Sequence, residues 1–217
     1  MEFSGGTMEQ STSILIGTSN PSKVGFFAAL FDFSGFRLLT PKDLGIRDVP
    51  DETGVTPLQN AVEKAAFYAR FHPVVCATDS GLFFDSIPPD DPRQPGLHLR
   101  SPYGRRLDDE EMLAYFAGLV RGLGGTVTAY YMDAFAFIID GKVHTFESRR
   151  EELLETAFIL RDTPVSGRRP GWPLDSISFD QSGLSFLDPN RTSAQQHWGY
   201  MPRLRQFTQD IFKAAVR

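Results

Sequence analysis

A single cysteine, Cys76, stands in the 217 residues, which excludes an internal disulfide and suits a reducing compartment. Neither it nor the four histidines sit at spacings that bind zinc. No apolar run approaches the roughly 18–20 residues that cross a bilayer. The opening stretch 1–12 is polar and rich in Gly and Ser, without the basic start and apolar centre of a signal peptide. A cytoplasmic protein with no membrane partner is therefore expected, with residues 1–12 a disordered tail and residues 13–217 a single domain. An excess of basic residues is missing too: 22 Lys and Arg stand against 27 Asp and Glu, a formal charge of −5. DNA affinity rests on a basic surface that displaces counterions, so a nucleic-acid partner is not expected. A small anionic ligand stays open, because a few local cations and a divalent metal can hold one whatever the net charge.

What is present is material for a sizeable core, 41% hydrophobic residues including 19 Phe. Residues Ile14 to Gly17 read as a short buried strand, and Asn20-Pro21 as the cap and first residue of a helix. A second strand is expected around Phe36 to Thr40. A helix follows from Thr56 to Arg70, where Leu58, Ala61, Val62, Ala65 and Ala69 share a face. Val74 to Ala77 and Leu82 to Ile87 are expected as two strands flanking a turn, Thr78-Asp79-Ser80-Gly81. Asp108 and Glu111 form the capping box of a helix that runs to about Leu123.

Thr126 to Ile139 and Val143 to Phe146 are β-branched and aromatic, and Asp140-Gly141 between them marks a hairpin. Residues Arg149 to Leu160 read equally as helix or strand. A strand near Ile177 and an amphipathic helix from about Pro202 to Val216 complete an α/β chain with at least one antiparallel hairpin.

Three polar stretches stand out as places for chemistry. In Thr18-Ser19-Asn20-Pro21-Ser22-Lys23 a strand turns into a helix, whose free N–H groups and dipole favour an anion. The same residues also suit an ordinary capped helix with Lys23 in solvent. Asp79 is a carboxylate at a strand end, with Asp85 six residues on and Glu52 in a separate polar turn. One or two such carboxylates suit Mg²⁺; an ordinary Asp turn with Gly81 at positive φ accounts for the local pattern equally. Lys64 lies on its helix beside the apolar stripe, where a solvated lysine is commonplace.

Taken together, three stretches occur in the order and at the spacing of three N-terminal signatures of the inosine triphosphate pyrophosphatase family. They are Thr18 to Lys23, then Glu52-Thr53-Gly54 running into Asn60 and Lys64, then Asp79-Ser80-Gly81-Leu82 with Asp85. The middle stretch, ETGVTPLQNAVEKA, is the most specific, and the chain clearly resembles that family over residues 13–87. The resemblance implies an elongated mixed β-sheet with flanking helices, two lobes around a central cleft, and a homodimer. It further implies Mg²⁺-dependent cleavage, with Mn²⁺ as a substitute, between the α- and β-phosphates of ITP, dITP or XTP. By that resemblance Asp79 is the general base or a metal carboxylate and Glu52 a metal ligand. Thr18, Ser19, Asn20, Lys23 and Lys64 contact phosphates, Ser80 lies beside the base, and Arg100, Trp172, Asp175 and His197 are further substrate contacts.

The departures from the family pattern fall at defined places. Thr78 stands where the family has the first of two consecutive acids. Trp172-Pro173-Leu174-Asp175-Ser176 replaces Phe-Gly-Tyr-Asp-Pro, and Gln196-His197-Trp198 replaces Ser-His-Arg, with Arg191, Arg203 and Arg205 as the nearby arginines. Two further readings therefore accompany the leading one: the same hydrolysis on a different nucleotide, and a nucleotide-binding sensor without turnover.

Overall fold

Residues 13–18, 20–31, 35–102, 104–191 and 199–215 are described by a computed structural model. Seven strands form one mixed sheet: β1 (Ser13–Ile16), β2 (Arg37–Leu39), β3 (Val74–Phe84), β4 (Thr126–Ile139), β5 (Lys142–Glu147), β6 (Phe158–Arg161) and β7 (Ser178–Phe179). Their order is β2-β1-β3-β4-β6-β7, with β5 paired to β4. β1 runs parallel to β2 and β3, while β6 is antiparallel to β4 and β7. Five helices accompany the sheet among the described residues: α1 (Pro21–Leu30), α2 (Pro57–Tyr68), α3 (Asp109–Gly122), α4 (Arg150–Glu155) and α5 (Met201–Ala215). None is long and apolar enough to cross a membrane. The expected mixed sheet with flanking helices is what the chain forms. Two compact units divide it, and β3, β4 and β5 each pass from one unit to the other.

In the first unit, Leu15, Val75 and Ala77 of the strands meet Ala61, Ala65 and Tyr68 of α2. Alanines on the helix face allow it to lie close on the sheet. Just after β1, residue 17 is glycine because a Cβ there would stand 2.6 Å from Tyr68 Cδ2, so only glycine leaves room for the ring. On α1, Phe26 stacks on Phe135 at 5.5 Å and Phe27 meets the same ring edge-on at 6.2 Å. The hairpin turn Asp140-Gly141 has φ of 48° and 80°, the mirror-image turn that the Asp-Gly pair favours.

The second unit packs α3 against β3, β4 and β6 through Phe116, Met112, Leu113, Leu82, Phe84, Val127 and Leu160. Phe116 is fully buried, a burial worth about 1.5–3 kcal/mol. The helix starts where expected. Asp108 Oδ1 accepts the Glu111 N–H at 2.8 Å, and Glu111 Oε2 accepts the Asp108 N–H at 3.0 Å, a reciprocal cap worth about 1 kcal/mol.

Two expectations are corrected. Thr78-Asp79-Ser80-Gly81 is not a turn but the middle of one continuous strand, Val74–Phe84. Gly81 does not use a positive φ; it is glycine because a Cβ would lie 2.8 Å from the Phe83 ring and 3.1 Å from the Gly96 carbonyl oxygen. That close approach is the bridge in which Leu82 and Gly96 exchange N–H···O bonds of 3.0 and 2.9 Å. The second expected strand accordingly stops at Phe84 instead of Ile87. The ambiguous stretch Arg149 to Leu160 is both things in turn, α4 and then β6.

Candidate active site

The polar turn after β1 is fastened to α1 by its own backbone. The Asn20 N–H donates to Thr18 Oγ1 at 3.1 Å, and the Asn20 carbonyl accepts the Val24 N–H at 3.1 Å, with Pro21 as the first helical residue. Asn20 is exposed and Thr18 half-buried, while Ser19 lies outside the described residues. One turn into α1, Lys23 Nζ reaches the Thr78 carbonyl oxygen at 3.4 Å. The cation thus sits at the residue of β3 that precedes Asp79.

The turn Glu52-Thr53-Gly54 is clasped to α2 at three successive points. The Thr53 N–H and hydroxyl donate to the Glu63 carboxylate at 3.0 and 3.1 Å, the Gly54 N–H donates to Asn60 Oδ1 at 2.8 Å, and Lys64 Nζ lies 3.1 Å from Glu52 Oε1. Lys64 is not the solvated lysine that its helix position permits: its side chain is 11% exposed, against 44% for Glu52. Burial, with the Glu52 charge adding to it, pushes the neighbouring Tyr68 hydroxyl above its ordinary pKa.

In the second unit Asp79 is a buried carboxylate, 6% exposed. The next residue, Ser80, donates its hydroxyl to Asp133 Oδ1 at 2.5 Å, and Tyr200 donates to the other Asp133 oxygen at 2.8 Å. Asp133 and Tyr200 escaped the sequence reading. The available signal was one acid, between Met132 and Ala134, in the otherwise uncharged run TVTAYYMDAFAFII. Asp85, six residues beyond Asp79, is paired with Arg150 at 2.7 Å.

Arg100 and Trp172 belong to one loop system. Arg100 donates to Asp109 Oδ1 at 2.8 Å and to the Gly171 carbonyl at 2.7 Å, while the Gly171 N–H donates to the other Asp109 oxygen at 2.7 Å. The Arg100 guanidinium, with the Gly171 N–H beside it, holds the Asp109 carboxyl below its ordinary range. So braced, Trp172 presents its indole to solvent, 41% exposed, and does not serve as core packing. Three residues on, Asp175 is buried, and that burial raises its carboxyl above the ordinary 3.8 although Arg169 Nη1, 2.6 Å away, and the Arg191 charge oppose the rise.

Of the three nearby arginines, Arg203 is engaged in a fork on Glu152 at 2.7 Å per bond and lies over the Phe146 ring. Arg191 lies 3.8 Å over the Phe186 ring. His197 lies outside the described residues. His72 bonds Ser13 Oγ and the Val74 carbonyl, a structural position.

Compared with known proteins, residues 14–154 match the sequence profile of the Ham1 family. The chain belongs to the Ham1 family. This is the pyrophosphatase family that the three motifs resemble, and all three lie inside the matched range, whereas Trp172, Asp175 and His197 lie beyond it. A dITP/XTP pyrophosphatase of Leptospira interrogans is 31% identical over 147 residues, which cover 67% of this chain and 72% of that one. Among solved structures, a HAM1 protein from Coxiella burnetii superposes with a TM-score of 0.67 at 16% identity, over 94% of this chain and all of that one. The Ham1 protein of Staphylococcus aureus follows at 0.65 and 18%, over 95% and 100%. At such identities these two bear on the fold alone.

Proposed function

We propose that this Ham1-family chain is a nucleoside triphosphate pyrophosphohydrolase that converts non-standard purine nucleotides, dITP and XTP among them, to the monophosphate and pyrophosphate. The observation that carries the reading is the Glu52–Lys64 pair. The Lys64 side chain is only 11% exposed while the Glu52 carboxylate that it meets at 3.1 Å is 44% exposed, so the pair holds a cation in place and leaves its acid open to an arriving group. The pair makes sense as a binding device: an arriving phosphate takes the lysine, and the carboxylate is released towards a metal.

Among the described residues, no three His, Cys, Asp or Glu side chains gather into a metal cage. The donors proposed here, Glu52 and Asp79, are hard oxygen ligands of the kind and number that Mg²⁺ takes, with substrate phosphates and water completing its shell. When bound, that ion would neutralise phosphate charge and lower the barrier to hydrolysis. The residues supply the rest. Lys23 and Lys64 meet phosphate oxygens, and the turn Thr18 to Asn20 offers backbone N–H groups at the start of α1. Asp79 orients the attacking water or takes its proton as the bond between the α- and β-phosphates breaks and pyrophosphate leaves. Trp172 offers a face on which a base can stack, Arg100 braces its loop, and Asp175, three residues on, is kept as a further substrate contact. His197 is retained as a base contact.

The same reading takes residues 13–217 as one functional domain and the active form as a homodimer in a reducing, cytoplasmic setting; light scattering checks the dimer. A panel assay tests the substrate class: dITP and XTP should be hydrolysed with a higher kcat/KM than dATP, dGTP or dCTP. Equal rates on all of them would favour the reading in which the same chemistry serves another nucleotide. Binding without release would favour the sensor, for which the acid missing at Thr78 is the argument.

A further inference from the structure

Asp133 is buried to 7% exposure near the middle of β4. A carboxylate is costly to bury unless hydrogen bonds meet it. Here two hydroxyls do so, Ser80 Oγ at 2.5 Å on one oxygen and Tyr200 OH at 2.8 Å on the other, the first at the short separation of a charge-assisted bond. The residue is itself held. Its carbonyl accepts the Ser148 N–H at 3.1 Å and the Ser148 hydroxyl at 3.0 Å. The two residues it grips are placed tellingly in the chain: Ser80 directly follows Asp79, and Tyr200 directly precedes α5.

We propose that Asp133 is a positioning residue for the reaction, holding Ser80 from β4 so that the β3 backbone, and with it the Asp79 carboxylate, keeps its working orientation. This rests on the role proposed above for Asp79. Strand geometry supports it, because Asp79 and Ser80 point to opposite faces. A hydrogen bond that fixes Ser80 therefore fixes the direction of Asp79 without touching it or competing for its substrate. Asp133→Asn keeps the shape but turns one acceptor into a donor and removes the charge, so one hydroxyl loses its acceptor and the other keeps only a neutral one.

The test uses the full chain with Asp133→Asn, Ser80→Ala, the double variant and Tyr200→Phe. It reads kcat and KM for pyrophosphate release, the melting temperature, and amide hydrogen exchange at Asp79, Ser80 and Gly81. Asp133→Asn should lower kcat by about 10- to 100-fold with KM within about threefold and speed exchange at those three amides by about tenfold. In the Ser80→Ala background the same substitution should add less than about threefold, because Asp133 acts through Ser80. Tyr200→Phe should lose a similar melting temperature but less kcat.

Losses in kcat that multiply with Ser80→Ala, or that follow melting temperature across the variants, would overturn the proposal. So would unchanged exchange at Asp79 to Gly81. Should Asp133→Asn not fold, Ser80→Ala alone carries the test through the same kcat and exchange readings. A parent that releases no pyrophosphate from any nucleoside triphosphate overturns the functional reading; the exchange measurement then separately decides whether Asp133 holds β3 at Asp79.

Discussion

Gly54 is the residue whose replacement most directly probes how the Glu52 turn is held. An alanine there would place its Cβ 2.6 Å from Asn60 Oδ1, 2.6 Å from Gln59 Cβ and 2.9 Å from the Asn60 backbone nitrogen. Asn60 is 2% exposed and the Gly54 N–H bonds its side chain at 2.8 Å, so the crowding cannot be relieved by swinging a free end into solvent. Forcing a methyl into packed surroundings costs about 1–3 kcal/mol, and the broken hydrogen bond about 0.5–1.5 kcal/mol more. For a chain of this size the sum, about 1.5–4.5 kcal/mol, lowers the melting temperature by about 3–18 °C. Glu52, two residues away, moves with the turn, and displacements of about 1 Å at a site cost up to about 10²-fold; kcat/KM should therefore fall by about tenfold or more. Gly25→Ala is the control. It lies on exposed α1 surface with nothing within 4 Å of the added Cβ, so it should be neutral or gain up to about 1 kcal/mol. Thermal unfolding followed by circular dichroism, together with pyrophosphate release, measures both variants. A Gly54→Ala protein that melts within about 2 °C of the parent and retains its activity would refute the reasoning.

Asp79→Asn should leave the fold intact and lower kcat by about 10²-fold or more, while Asp85→Asn, whose carboxylate pairs with Arg150, should matter less; steady-state kinetics on folded protein decides. Trp172→Ala should change discrimination among bases more than the maximal rate, and an equal loss on every nucleotide, bare triphosphate included, would count against a stacking role. The stability that Arg203 supplies should fade in acid, because its hydrogen bonds hold the Glu152 carboxyl below its ordinary 4.5 against the opposing effect of burial. A depressed carboxyl stabilises the fold above that ordinary value and loses its contribution as pH falls through the folded one. Arg203→Met should therefore be less stable than the parent at neutral pH, and the gap should narrow below pH 4.5; urea unfolding across that range checks it.

Local signals were legible in the sequence where one short stretch contains the whole cause. The Asp108 and Glu111 cap, the Asp140-Gly141 turn and the apolar face of α2 all appear where their patterns placed them. The stretch from Arg149 to Leu160 was not separable, because a six-residue helix followed at once by a four-residue strand leaves too little of either period. Asp and Gly at 79 and 81 suggested a turn, yet the glycine answers to the approach of Gly96, which nothing nearby in sequence announces. Lys64 was visible as a residue, but its burial and its pairing with Glu52 were not. Asp133 shows the same limit: its partners lie 53 and 67 positions away, and only the sheet and α5 bring them together.

The central claim is tested most directly by incubating the purified chain with dITP, with Mg²⁺ and again with excess chelator, and quantifying pyrophosphate, orthophosphate and nucleoside monophosphate together. The account predicts equal amounts of dIMP and pyrophosphate, no orthophosphate as a primary product, and loss of turnover on chelation. Orthophosphate and dIDP as the first products, or undiminished pyrophosphate release in chelator, would contradict it.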